Sequence, residues 1–112
     1  MATAFGLVID PQGQTPESLL ALAGYLELAL DEAKSVVMMR HGVDVCSVYI
    51  GHSGGDEADL IGHGTIAAAV ADEILEFTQP GINRITIGDR TYRFFRSFTH
   101  IDDSGAVVFA PV

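Results

Sequence analysis

Residues 48 to 65, VYIGHSGGDEADLIGHGT, hold most of the side chains in this chain whose types and spacing could do chemistry. Gly51-His52-Ser53-Gly54-Gly55 is a literal G-x-S-x-G, the pattern that presents a serine hydroxyl as a nucleophile from a tight turn. His52 and His63 flank three carboxylates, Asp56, Glu57 and Asp59. Imidazole with carboxylate is a donor set for zinc, manganese or iron. The stretch is equally a polar, glycine-rich connection between two elements.

The pentapeptide resembles the nucleophile elbow of the α/β-hydrolases, which would imply Ser53 as nucleophile with a helix directly behind it. The resemblance covers only this one motif. Gly54, Gly55, Asp56 and Glu57 come next, and they do not open a helix of apolar spacing. An acidic run there would oppose the negative charge that develops on an oxyanion. Acid and base would have to be Asp72 or Asp89 with His100, the latter at a strand end. At 112 residues the chain is also too short for the eight-stranded scaffold of that family. The serine reading is set aside.

The metal reading is stronger. The two Gly-His pairs, at 51-52 and 62-63, could mark the ends of a hairpin-like excursion that brings the imidazoles together. His52, Asp56, Asp59 and His63 would then be the ligands, and a small metal-dependent hydrolase built on residues 51 to 65 is an alternative reading of the chain. Against it stand the absence of H-E-x-x-H, or of any helical i, i+4 histidine pair, and the ordering penalty of ligands set among glycines. The favoured reading has no cofactor. In it, the loop connects or recognises.

Charge is the broader signal. The net charge is −9, and it is unevenly distributed. Residues 1 to 80 carry twelve carboxylates against Lys34 and Arg40; residues 81 to 112 carry Asp89, Asp102 and Asp103 against Arg84, Arg90, Arg93 and Arg96. Affinity for nucleic acid comes from lysine and arginine on phosphate, so direct nucleic-acid binding is not expected. A negative surface steers towards basic proteins instead. Arginines interleaved with aromatics in TYRFFRSF read as core packing with snorkelling guanidiniums. The lone Cys46, mid-strand among apolar neighbours, reads as an inert buried thiol, and a single cysteine suits a reducing cytoplasm. No stretch is long and apolar enough to span a membrane.

The elements that must position these groups form one α+β domain over residues 1 to 112, in the order β-α-β-α-β-β-β. FGLVID opens as a strand. Thr15-Pro16-Glu17 starts a helix, capped by Thr15 and expected to run to Arg40, with Gly42 as the left-handed stop. Its apolar stripe is wide: Leu19, Leu22, Leu26, Ala29, Leu30, Ala33 and Val37, broadened by Leu20, Ala23 and Leu28. Contact on more than one side is therefore expected, from the sheet and from a partner or second copy. VDVCSVYI is the next strand, and Thr65 is expected to cap a second helix ending before Pro80. Three strands close the chain as a meander turned at Gly88-Asp89 and at Asp102 to Gly105. The expected fold is a mostly antiparallel sheet of about five strands with both helices on one face.

These observations favour a small acidic, non-enzymatic binding or inhibitor protein. It would dock a negative surface on a basic partner, in the manner of immunity, anti-defence or chaperone proteins that mimic phosphate charge. The residues expected to supply the field are Glu27, Asp31, Asp56, Glu57, Asp59, Asp72, Glu73 and Glu76. The alternative outside the enzyme class is a structural subunit, of a homodimer, larger homo-oligomer or phage particle, driven by the wide helical stripe.

Overall fold

Val36 and Val37 are neighbours in sequence and both are fully buried. Successive side chains of a strand point to opposite faces, so the sheet here carries apolar cover on two sides. A computed structural model describes residues 5–9, 16–52, 60–101 and 104–112. Its elements are β1 (Phe5–Ile9), α1 (Glu17–Glu32), β2 (Ser35–His41), β3 (Val45–Gly51), β4 (Ile61–Ala67), α2 (Ala68–Phe77), β5 (Gly81–Ile87), β6 (Arg90–Ile101) and β7 (Ser104–Pro111). They form one seven-stranded sheet in the order β1-β5-β6-β7-β2-β3-β4. From β5 to β4 every pairing is antiparallel, and β1 adds a parallel strand beside β5.

The α+β class, the mostly antiparallel sheet and the two helices on one face stand as read from the sequence. Leu19, Leu22, Leu26 and Ala29 of α1 and Ala71 and Ile74 of α2 share one core with Val36, Met38, Val48, Ile50, Ile85, Phe94 and Phe109. The opposite face holds a smaller apolar cluster, Val37, Met39, Ile101, Ala106 and Val108, with Tyr49 and Leu60 against it.

The strand count rises from about five to seven because two segments are strands where helix or loop was expected. The first helix ends at Glu32, not Arg40. Ala33 adopts the left-handed conformation (φ 55°, ψ 45°), its N–H reaches the Leu30 carbonyl at 3.2 Å, and the Lys34 N–H reaches that of Ala29 at 2.8 Å. This is a Schellman stop, made here by alanine rather than glycine. The next residues, Ser35-Val36-Val37-Met38-Met39, take an interior place in the sheet between β7 and β3, where both faces are buried. That gain outweighs the helical spacing of Ala33 and Val37.

The second correction concerns Thr65, which lies inside β4 instead of capping α2. The cap position is Ala67, and the Ala68 N–H donates to the Asp44 carbonyl at 2.7 Å. Between the pairs Ser47↔Thr65 and Tyr49↔Gly62, Val48 faces both His63 and Gly64. The extra residue is a bulge, and Gly64 (φ +106°) takes the backbone geometry that a side chain would resist. The proposed cap of α1 by Thr15 lies outside the described residues; Pro16 occupies the cap position, its carbonyl accepting from Leu19 and Leu20 at 3.1 Å each.

The hairpins expected at the end of the chain are present. Ile87 pairs with Arg90 across Gly88-Asp89, with Gly88 at φ +64°, and Ile101 pairs with Ser104. The passage from α2 into β5 is held by polar contacts. Buried Asn83 accepts from the Gln79 N–H and donates to the Gln79 and Gly81 carbonyls. Arg96 donates to the Leu75 carbonyl at 3.1 Å and to Thr78 Oγ1 at 2.8 Å, while Thr78 donates to the Ile74 carbonyl. The last turn of α2 has no basic residue of its own. Arg96 reaches it from the sheet, at the negative end of the helix dipole. Burial pulls the Arg96 guanidinium below its ordinary pKa by desolvation.

Candidate interaction surface

The outer surface of the helical layer is made by helices without a cation. ESLLALAGYLELALDE and AAVADEILEF together carry Glu17, Glu27, Asp31, Glu32, Asp72, Glu73 and Glu76, and neither contains lysine or arginine. Three of these carboxylates are met from outside: Arg90 pairs with Glu27, Arg40 lies 3.3 Å from Asp72, and Lys34 lies 3.7 Å from Glu32. The Arg90 contact is ionic rather than a well-directed hydrogen bond. Arg90 also sits over the Tyr92 ring, 5.7 Å from its centroid. Desolvation, and then the nearby Glu27 charge, push the Tyr92 phenol above its ordinary pKa. Glu73 accepts from Ser18 Oγ at 2.8 Å and so ties α2 to the first turn of α1.

The residues expected to form the acidic field therefore divide. Asp72, Glu73 and Glu76 lie on α2, where Glu73 reaches Ser18 in the first turn of α1. Glu27 and Asp31 lie in its second half, roughly 14 to 20 Å from Ser18 at ~1.5 Å per residue. Asp56, Glu57 and Asp59 lie outside the described residues, as does Ser53.

Between the two acidic groups runs an apolar ridge that charge counting did not find. The burial pattern exposes Glu17, Leu20, Gly24, Leu28 and Asp31 along one line of α1, at i, i+3 and i+4 spacings. Leu20 and Leu30 are 49% exposed and Leu28 39%. A Cβ built on Gly24 would meet nothing within 4 Å, so the ridge has an open notch at its middle. The signal for it was the excess width of the helical stripe: the sheet takes Leu19, Leu22, Leu26 and Ala29, leaving Leu20 and Leu28 over.

The histidines are placed apart. Ile50 pairs with Ile61, His52 lies two residues beyond that pair on one side, and His63 two residues beyond it on the other. At ~3.3 Å per residue the two are on the order of 13 Å apart along the ladder. His52 is exposed and borders an open hollow with Lys34, a cation that a metal site would not choose as a neighbour. Among the described residues no three of His, Cys, Asp and Glu converge. His100 is in β6 against the Phe98 ring. Cys46 is buried, and desolvation holds its thiol above the ordinary pKa.

A second apolar feature lies where β6 and β7 emerge from under α2. A cleft of about 240 Å³ is lined by Leu75, Pro80, Phe98 and Val107. That volume is below the roughly 300 Å³ at which small-molecule sites begin, and suits one inserted side chain. Phe98 is 66% exposed and its ring lies across Gly105, whose missing Cβ would sit 2.8 Å from Phe98 Cζ.

On the sheet face away from the helices the charge reverses. Counting back from the Gly88-Asp89 turn, Arg84 falls opposite Arg93, flanked by the pairs Ile82↔Phe95 and Thr86↔Thr91. Arg84 and Arg93 are exposed, as is Phe95 at 44%. Among the described residues no carboxylate pairs with either arginine. The chain is thus two-sided, anionic over its helices and cationic over β5 and β6. No protein-family model, no curated protein and no solved structure matches this chain.

Proposed function

We propose that this chain is a non-enzymatic binding protein that docks the outer face of α1, with the carboxylates around it, onto a basic amphipathic surface of another protein. The observation that carries the reading is the exposed ridge Leu20-Gly24-Leu28 set between acidic groups on helices that contain no cation. A ridge at i, i+4 and i+8 with a glycine in its middle is the shape that packs against a helix lying across it. The carboxylates select a partner that carries lysine or arginine beside its own apolar residues. Burying what remains exposed of Leu20 and Leu28 would supply roughly 1 kcal/mol each, about 2 kcal/mol together. The rest would come from charge, mainly through Glu17, Asp31, Glu73 and Glu76, which pair with no Lys or Arg among the described residues.

This revises the expectation of a single acidic field. Leucines provide contact and carboxylates provide selection. Titration calorimetry with a synthetic amphipathic helix of leucine and lysine tests the reading. Binding should weaken as salt rises from about 0.1 to 1 M, where the screening length falls from ~10 to ~3 Å. It should vanish in the Leu20→Asp/Leu28→Asp double variant, and the glutamate counterpart of the peptide should not bind. Equal binding of both peptides, or of wild type and double variant, would refute it.

A further inference from the structure

Two features of this molecule are locally unfavourable, and each would be relieved by the other. The first is at the end of α1. Asp31 and Glu32 stand in its last turn, at the negative end of the helix dipole, with no basic residue in that turn and only Lys34 nearby, 3.7 Å from Glu32. The second is on the open sheet face, where Arg84 and Arg93 oppose each other directly, an arrangement of like charges that destabilises a strand pair. Apolar groups accompany both at similar spacing. Leu28 and Leu30 lie within one turn of the carboxylates, about 5 Å along the axis. Ile82 and Phe95 lie two residues along their strands from the arginines, about 7 Å.

Within one molecule these groups cannot meet, because α1 packs on the opposite face of the sheet from Arg84 and Arg93. We infer that a second copy of this chain is an occupant of that sheet face. The end of α1 in one copy lies on β5 and β6 of the next, with Asp31 against the arginine pair and Leu28 against Phe95. The lengths match: the exposed line from Glu17 to Asp31 spans roughly 21 Å, and the seven residues of β5 roughly 23 Å. The contact joins different patches on the two copies, so each bound pair keeps one free patch of each kind and growth continues to a ring or an open filament. Copies of net charge −9 repel at long range, but at physiological ionic strength that repulsion is screened beyond ~8 Å while the contact pairs act within it. The inference rests on the docking role proposed for α1, and it makes self-association a competitor of the basic partner for the same helix.

Sedimentation velocity at roughly 10 to 200 µM, the range where a weak contact becomes populated, decides it. Wild-type protein should sediment faster as concentration rises and pass beyond a dimer. Arg84→Glu/Arg93→Glu should remain monomeric, as should Leu28→Asp/Asp31→Lys, and an equimolar mixture of the two should form one-to-one pairs that grow no further. Both double variants change exposed side chains, and circular dichroism should show their fold retained; Arg84→Gln/Arg93→Gln is the milder version, expected to weaken association about tenfold. Wild-type protein that stays monomeric throughout, association indifferent to the arginine variants, or a mixture that does not pair would each overturn the inference. Titration of the leucine-lysine peptide into Arg84→Glu/Arg93→Glu separates the two proposals. Peptide binding without wild-type self-association removes this inference and leaves the docking role standing, whereas loss of peptide binding with wild type removes the docking role itself.

Discussion

Replacing Ala33 with glycine should make the protein more stable, although glycine within a helix does the reverse. Ala33 sits at φ 55°, ψ 45° immediately after α1. An L-residue in that region is strained by about 1 to 2 kcal/mol relative to glycine. Glycine adds back roughly 0.4 to 1 kcal/mol of conformational entropy to the unfolded chain. The side chain lost is an exposed methyl, so packing changes little. The net expectation is a stabilisation of about 0.5 to 1 kcal/mol, which in a domain of this size raises the melting temperature by roughly 2 to 4 °C. Differential scanning calorimetry with a parallel urea titration measures it, and the urea slope should not change. Had the helix run on to Arg40, Ala33 would lie in its interior and glycine would destabilise by about 1 kcal/mol. A fall in stability of that size would refute both the left-handed stop and the assignment of Ser35–His41 to an interior strand of the sheet.

Three further outcomes rest on the same contacts. Arg96→Met keeps the length and apolar stem but strips the last turn of α2 of its cation and of two hydrogen bonds; chemical denaturation should show a loss of about 2 to 3 kcal/mol. Asp31→Lys should stabilise the isolated monomer by about 0.5 kcal/mol by reversing the charge at the dipole's negative end, while weakening peptide binding. Cys46 has its folded-state pKa raised by burial, so its contribution to stability is complete below the unfolded thiol value and is lost as pH climbs through the folded one. Melting temperature should therefore carry no thiol-dependent fall until above about pH 8.5, and Cys46→Ala should remove that alkaline fall.

Legibility from sequence tracked the reach of each signal. Where a pattern was local and unopposed it served well: the apolar spacing of Leu19, Leu22 and Leu26 and the Gly88-Asp89 turn lie where they were expected. The core packing expected of TYRFFRSF holds for Phe94 alone among its phenylalanines, since Phe95 and Phe98 are exposed and Arg96 turns inward to the end of α2. Where helix and strand periods both fitted, the outcome depended on distant partners. Val36 to Met39 continues a helical stripe and is also an unbroken apolar run, and the places beside β3 and β7 settle it as strand. Ile61 to Ala67 has too few strand formers to be seen alone; it pairs because β3 offers an edge and Gly64 permits a bulge. Of the candidate site, the acidic excess was visible but its division was not, since which carboxylates Arg40 and Arg90 neutralise depends on the tertiary fold. The facing of Arg84 and Arg93 was within reach, because a two-residue turn fixes the register of the strands it joins.

Nuclear magnetic resonance on isotopically labelled protein, titrated with the leucine-lysine helix, addresses the docking role most directly. Amide shifts should move along α1 at Leu20, Gly24, Leu28 and Asp31 and on the adjoining turns of α2, with the inner positions Leu22 and Leu26 disturbed less. Shifts confined to the strands, or none at peptide excess, would contradict it.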